Sequence, residues 1–534
     1  MLARLVVIAS PPSIPITELR RAKLRVMDLP RSYGIVLHPT SFPGRWGIGA
    51  LGNEARLFLD WLASTAAQWW QVLPLGPTGH GDSPYQPFSS FAWNPYLLDP
   101  DDLLARGWLW NEPVPPLPAD RVDFGRIYET RWLLLRRAYD GFLRHASHRE
   151  RRDLARFARA EAPWLPSYAL FMALKSHFGG SPWTEWPPEL ARKAPRPLAA
   201  ARRALTEDVG FHTWTQWQFQ RAWDVLRSYA RDLGIRIIGD MPIFVSHDSA
   251  DVWAHPDLFH LDKRGNPTVV AGVPPDYFSA TGQRWGNPLY RWDVLAADGF
   301  RWWVARVRHA LRTCDLVRLD HFRGLAAHWE IPATESTATH GRWVTAPGEA
   351  LLGAIRNALG DVPIVAEDLG VITPDVEALR DRFGLPGMRV LQFAFSGESD
   401  NPHLPASYPE HGRLLVYTGT HDNDTTRGWY RTSSPAERER AHAYLAQAGI
   451  SLSRDEDAPG ALIEFALRSR ARLAVIPLQD VLGLDSEARM NRPSVPSGNW
   501  TWRYPETALA AAQAHGLRAA AARAGRLAPS GSVR

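Results

Sequence analysis

Arg318 and Asp320 lie two residues apart in the run Cys314-Asp315-Leu316-Val317-Arg318-Leu319-Asp320-His321-Phe322-Arg323-Gly324. The apolar part of that run, from Leu316, reads as a short buried strand that then breaks into a loop. Side chains alternate across a strand, so Arg318 and Asp320 point the same way. A guanidinium beside a carboxylate favours the ionised acid, which is the form a carboxylate nucleophile requires. An isolated pair of this kind is more often a structural ion pair, so other acids in matching contexts must decide.

Three further strand-like runs carry them. Ile364-Val365-Ala366-Glu367-Asp368-Leu369-Gly370 supplies Glu367 and Asp368, and Val416-Tyr417-Thr418-Gly419-Thr420-His421-Asp422-Asn423-Asp424 supplies Asp422 and Asp424. Ile238-Gly239-Asp240-Met241-Pro242 adds Asp240. Acids gathered at one rim repel one another and call for a reason. Clustered carboxylates suit Mg²⁺ or Ca²⁺. They also suit glycosyl transfer, with an ionised nucleophile, a protonated acid and a third acid gripping sugar hydroxyls.

The elements that must position these residues follow from apolar runs rich in β-branched residues. Eight are expected: Tyr33–His38, Trp70–Leu75, Arg236–Phe244, Leu316–Asp320, Ile364–Asp368, Arg389–Phe395, Arg413–Thr418 and Ala474–Gln479. Most are continuous rather than alternating, as for parallel strands covered on both faces. Stretches with helical spacing separate them, among them 53–65, 300–312, 349–359, 374–383 and 435–447. Eight such alternations predict a (β/α)8 TIM barrel over residues 31–510, whose chemistry sits at the C-terminal strand ends. A mainly helical insertion is expected at 97–230 and a loop-rich one over the cleft at 246–298. Residues 1–30 read as a poorly ordered extension and 511–534 as a closing helix and tail, with no C-terminal β-sandwich domain.

Composition narrows the function. Four of the 61 basic residues are Lys, the net charge is only +5, and Arg is interleaved with acids, which argues against a nucleic-acid partner. No apolar run approaches the ~18 residues that span a bilayer, and the N-terminal apolar stub is shorter than a signal core. The single Cys314 excludes an internal disulfide and fits a reducing compartment, so a cytoplasmic protein is expected, with no membrane partner. No GxxxxGK[ST] loop supports phosphoryl transfer. Trp is abundant at 24 residues, and flat indole faces suit both cores and sugar rings.

Five segments together resemble the amylomaltases, the 4-α-glucanotransferases of the α-amylase clan. They are VRLDHFRG (317–324), VAEDLG (365–370), YTGTHDNDT (417–425), GDSPYQPFSSFAWNP (81–95) and RMNRPSVPSGNW (489–500), in order within a match from about 31 to about 505. The resemblance implies Asp320 as nucleophile, Glu367 as general acid/base and Asp422 as the acid that grips the donor sugar. It further implies substrate contacts from Tyr85, Asp240, Asp276, Gln283, Trp285, Arg318, Phe393, His421 and Asn491. Those substrates would be α-1,4-glucans and maltooligosaccharides, with no metal and no other cofactor; separately, a monomer is expected.

Residue chemistry agrees with these roles. Arg318 is expected to keep Asp320 anionic, whereas Glu367, beside Asp368 and other acids, is expected to hold its proton. Two departures stand out. After the third-strand Asp, α-amylases carry an Asn-His pair that helps hold Ca²⁺; here Asp240 is followed by Met241-Pro242. Family members often carry an acid just after the sixth strand, where this chain has Ser396-Gly397 before Glu398. The expected activity is a retaining 4-α-glucanotransferase. A retaining α-glucan hydrolase with the same triad is the nearest alternative, a catalytically silent glucan-binding protein and a metal-dependent enzyme more distant ones.

Overall fold

The computed structural model describes residues 29–110, 116–275, 279–398, 400–493, 495–509 and 511–528. The expectation for the N-terminal extension therefore falls outside the described residues up to position 28. Eight parallel strands form the central sheet: β1 Ser32–Val36, β2 Trp69–Gln71, β3 Arg236–Met241, β4 Leu316–Leu319, β5 Ile364–Ala366, β6 Gly387–Val390, β7 Leu414–Tyr417 and β8 Leu473–Pro477. Their order, β6-β7-β8-β1-β2-β3-β4-β5, follows the chain once β8 is placed beside β1. With helices outside, this is a (β/α)8 barrel.

The seam between β5 and β6 is fastened differently from the others. One main-chain bond crosses it, from Ala366 N–H to the Pro386 carbonyl at 2.9 Å. Asp368 adds a side-chain clasp, its Oδ1 accepting the Met388 N–H at 2.6 Å. Gly387 makes room: a Cβ there would lie 2.5 Å from Asp368 Oδ2.

Several strands stop earlier than their apolar runs. Proline at 242 has no N–H to extend the ladder, so β3 ends at Met241 rather than running to Phe244. The sixth strand begins two residues before its expected start and turns into a 3₁₀ segment, Leu391–Phe393, so Phe393 sits beyond the strand.

The 97–230 segment packs as helices, chiefly Phe124–His145, Leu165–His177 and Thr206–Asp232. Asp123 caps the first of these by accepting the Arg126 N–H, satisfying a donor the helix leaves open. Indoles explain much of the Trp content: Trp69, Trp70, Trp108, Trp214, Trp223, Trp253 and Trp303 are fully buried. Truncating one such ring costs on the order of 3–5 kcal/mol.

The excursions after β3 and β4 meet in a second sheet, which the apolar runs did not reveal. It is antiparallel and ordered Gln283–Pro288, Val269–Val273, Ala327–Pro332, Arg342–Thr345. The 246–298 insertion is thus partly β, and a third insertion follows β4. After β8, the described residues carry helices, ending with Ala511–Arg523. Arg526 pins that end to the barrel, donating to the carbonyls of Ser32 (2.7 Å), Leu467 (2.6 Å) and Ala471 (2.9 Å). Among the described residues no helix is long and apolar enough to cross a membrane.

Candidate active site

Strand register assembles the charged centre. Asp240 on β3 lies directly opposite Arg318 on β4, and Arg318 opposite Val365 on β5. Arg318 Nη1 donates to Asp240 Oδ1 at 2.9 Å and Oδ2 at 2.8 Å, while Nη2 reaches Asp320 Oδ1 at 2.9 Å. Period-two alternation thus does put Arg318 and Asp320 on one side. Arg318 and Asp240 are buried, whereas the Asp320 side chain is 26% exposed and open to a ligand. Tyr85 completes the group by donating its hydroxyl to Asp240 Oδ2 at 2.8 Å. Burial and the Asp240 charge push that phenol well above its usual range.

Glu367 follows β5 and is buried. Its Oε2 accepts the His321 N–H at 2.7 Å and its Oε1 the Leu369 N–H at 2.9 Å. Burial lifts its pKa to about 8, with the Asp320 charge adding to the lift and Arg318 and the two amides opposing it. The expected upward shift is there, and one of the expected acids, Asp320, adds to it, but burial is its main cause and Asp368 is not among the largest contributors. Asp368 faces the other way, into Arg380 Nη1 at 2.6 Å and Arg389 Nη1 at 3.2 Å. Asp240 is also shifted upward by burial, against the pull of Arg318.

Asp422 and His421 come from the turn after β7. The His421 ring stacks on Tyr85 at 4.9 Å and 15°, joining this arm to the charged centre. Asn491 Nδ2 donates to Asp422 Oδ1 at 2.6 Å, and Arg489 Nη2 to the Asp422 carbonyl at 2.6 Å. The Asp422 carboxylate is 48% exposed, so it retains acceptor capacity for a ligand hydroxyl. Asp424 is engaged elsewhere, accepting from Ser486 Oγ at 2.8 Å.

A third arm comes from the antiparallel sheet. Trp285 donates its Nε1–H to Gln283 Oε1 at 3.1 Å and meets the His321 ring edge-on at 4.8 Å. Asp276 lies outside the described residues. Phe393 packs against His403 at 5.5 Å, on the turn after β6. His321 was not singled out in the sequence; its place directly after Asp320 was the only available signal. Nor was the clasp of Gln86 Nε2 on Asn287 Oδ1 at 3.0 Å, although Gln86 follows Tyr85 in the quoted motif.

A carboxylate held by a guanidinium, a second carboxyl carrying a proton and a third facing solvent can together cleave and remake an acetal linkage. Comparison with known proteins bears on which linkage. The family model of glycoside hydrolase family 77, described as 4-alpha-glucanotransferase, matches residues 37–509. The chain belongs to the 4-alpha-glucanotransferase family. Within this family, it is 58% identical to a Thermus thermophilus 4-alpha-glucanotransferase over 495 residues, covering 93% of this chain and 99% of that one. It is 44% identical to the chloroplastic/amyloplastic 4-alpha-glucanotransferase of Solanum tuberosum, covering 89% and 83%. Among solved structures, an amylomaltase from Streptococcus agalactiae in complex with acarbose superposes with a TM-score of 0.88 at 36% identity, covering 93% of this chain and 100% of that one.

Proposed function

We propose that this 4-alpha-glucanotransferase moves α-1,4-glucan segments by two displacements at one sugar carbon, with Asp320, Glu367 and Asp422 in the roles expected from the sequence. In the first, an Asp320 oxygen attacks C1 of the donor glucose. The C1–O4 bond breaks, the Glu367 proton passes to the departing O4, and a glucosyl ester remains on Asp320. In the second, the 4-hydroxyl of an acceptor glucan or glucose attacks C1 and gives its proton to Glu367. The ester bond breaks and Asp320 is restored. Two inversions retain the α configuration, and atoms and charge balance with no redox step.

The observation that carries this reading is the placement of buried Glu367, which accepts the N–H of the residue after Asp320 while Asp320 is paired with Arg318. Burial raises the Glu367 pKa to about 8 and so favours the acid form. In this reading Asp422, which accepts a hydrogen bond from Asn491, grips the donor hydroxyls, and the stacked Tyr85 and His421 rings support the donor ring; the Asn491 bond and the ring stacking support these roles. Trp285 and Gln283 serve the acceptor side, and Phe393, just beyond β6, offers a further aromatic face for stacking. The lone thiol Cys314, buried, fits a reducing cytoplasmic setting.

Incubation with maltotriose tests the proposal. Transfer yields glucose plus longer oligosaccharides with little gain in reducing ends. A steady rise in reducing ends without longer products would instead identify a hydrolase.

A further inference from the structure

His321 touches both the proton donor and the arm that carries Trp285, through different parts of itself. Its backbone is left-handed, with φ 52° and ψ 48°, at the entry to the short 3₁₀ segment Phe322–Leu325. That conformation, uncommon for a residue with a side chain, aims its N–H at Glu367 Oε2, 2.7 Å away. Its ring meets Trp285 edge-on at 4.8 Å and 86°, with Phe244 tilted against it at 6.4 Å. Gly324 leaves space for the ring: a Cβ there would lie 3.1 Å from His321 Cδ2. No hydrogen-bond partner holds Nε2 among the described residues, so packing fixes this edge of the ring. Burial pushes the imidazole down to about 4, with Asp320 opposing and Arg323 and His328 assisting, which favours the neutral ring at pH 7.

We propose that His321 is a positioning residue that joins the two halves of the transfer step: its main-chain amide orients Glu367, and its ring braces Trp285 on the acceptor side. The inference rests on the transferase reading above. The brace keeps the indole where an incoming sugar can stack in place of water. The amide favours the anionic form of Glu367, the form that must receive the acceptor's proton.

Two substitutions separate these duties, because both remove the ring but differ in tolerance of a left-handed backbone. Asn adopts that conformation readily; Val resists it. His321→Asn should keep the amide and lose the brace. Its basic pH limb should stay near that of wild type, while acceptor KM rises and the transfer-to-hydrolysis ratio falls by about two- to tenfold. His321→Val should lose both, and its basic limb should also move upward by about one pH unit, since a lost N–H donor destabilises the carboxylate. In the Trp285→Ala background, His321→Asn should change acceptor KM no further.

The wild-type maltotriose profile is measured first, and its failure to show transfer would sink the transferase reading rather than this one. Given transfer, an Asn variant with wild-type acceptor KM and transfer ratio overturns the brace, as does full additivity with Trp285→Ala. A Val variant with an unmoved limb overturns the amide's role. If the Val protein does not fold, His321→Ala carries the same expected direction of shift with a smaller size.

Discussion

Glu367 and Asp368 are neighbours in sequence, both are buried, and they serve opposite sides of the barrel wall. Glu367 faces the cleft, where two amides and one shared guanidinium do not offset burial, and it keeps a proton up to about pH 8. Asp368 faces the helical layer and meets Arg380, Arg389 and the Met388 N–H, closing the β5–β6 seam. One turn of the chain thus separates a chemical group from a fastener. What distinguishes them is the company each carboxyl keeps, since both have left water.

Substitutions on the two sides should therefore fail in different ways. The largest effect is expected on the cleft side. Glu367→Gln should lower kcat for maltotriose disproportionation by roughly 10²–10⁴-fold with little change in KM, because it cannot give or take the proton. On the outer side, Asp368→Asn leaves the largely buried Arg389 guanidinium without a carboxylate and Arg380 with only the exposed Asp381. Denaturant unfolding should register a loss of about 3–5 kcal/mol, while the folded fraction keeps kcat within about tenfold. An Asp368 variant that is stable but inactive would erase the distinction.

pH sharpens the contrast. The Glu367 carboxyl titrates higher folded, near 8, than its ordinary 4.5. Its contribution to stability is thus fully present below about 4.5 and lost as pH rises through about 8. Melting temperatures at pH 5 and pH 9 should fall more for wild type than for Glu367→Gln, and wild-type kcat should decline above about pH 8. The smallest effect is expected from Tyr85→Phe, which removes one hydrogen bond to Asp240 and should weaken donor binding about tenfold in KM.

Much of this arrangement was legible before any coordinates. Parallel strands buried on both faces leave continuous apolar runs, so all eight barrel strands could be found, and acids at their ends had one rim to occupy. Period-two alternation was enough to pair Arg318 with Asp320. The antiparallel sheet escaped because Ala327–Pro332 and Arg342–Thr345 mix polar and aromatic residues and bury little. Of the acids expected to lift Glu367, Asp320 does so, whereas Asp368, adjacent in sequence, points away as strand alternation requires. Burial, the largest cause, has no signature in a single residue. His321 was invisible for another reason: its left-handed backbone has no signature in its side chain, and its contacts depend on a strand more than thirty residues upstream.

The most direct test is to trap the first displacement. In Glu367→Gln, a maltotriosyl donor with fluoride at C1 can still load the enzyme, since fluoride leaves without a proton donor, while the missing base slows its release. Peptide mass spectrometry should then find the glucan ester-linked to Asp320. An adduct on another residue, or none while the fluoride is consumed and Asp320→Asn consumes it equally fast, would contradict the two-carboxyl account.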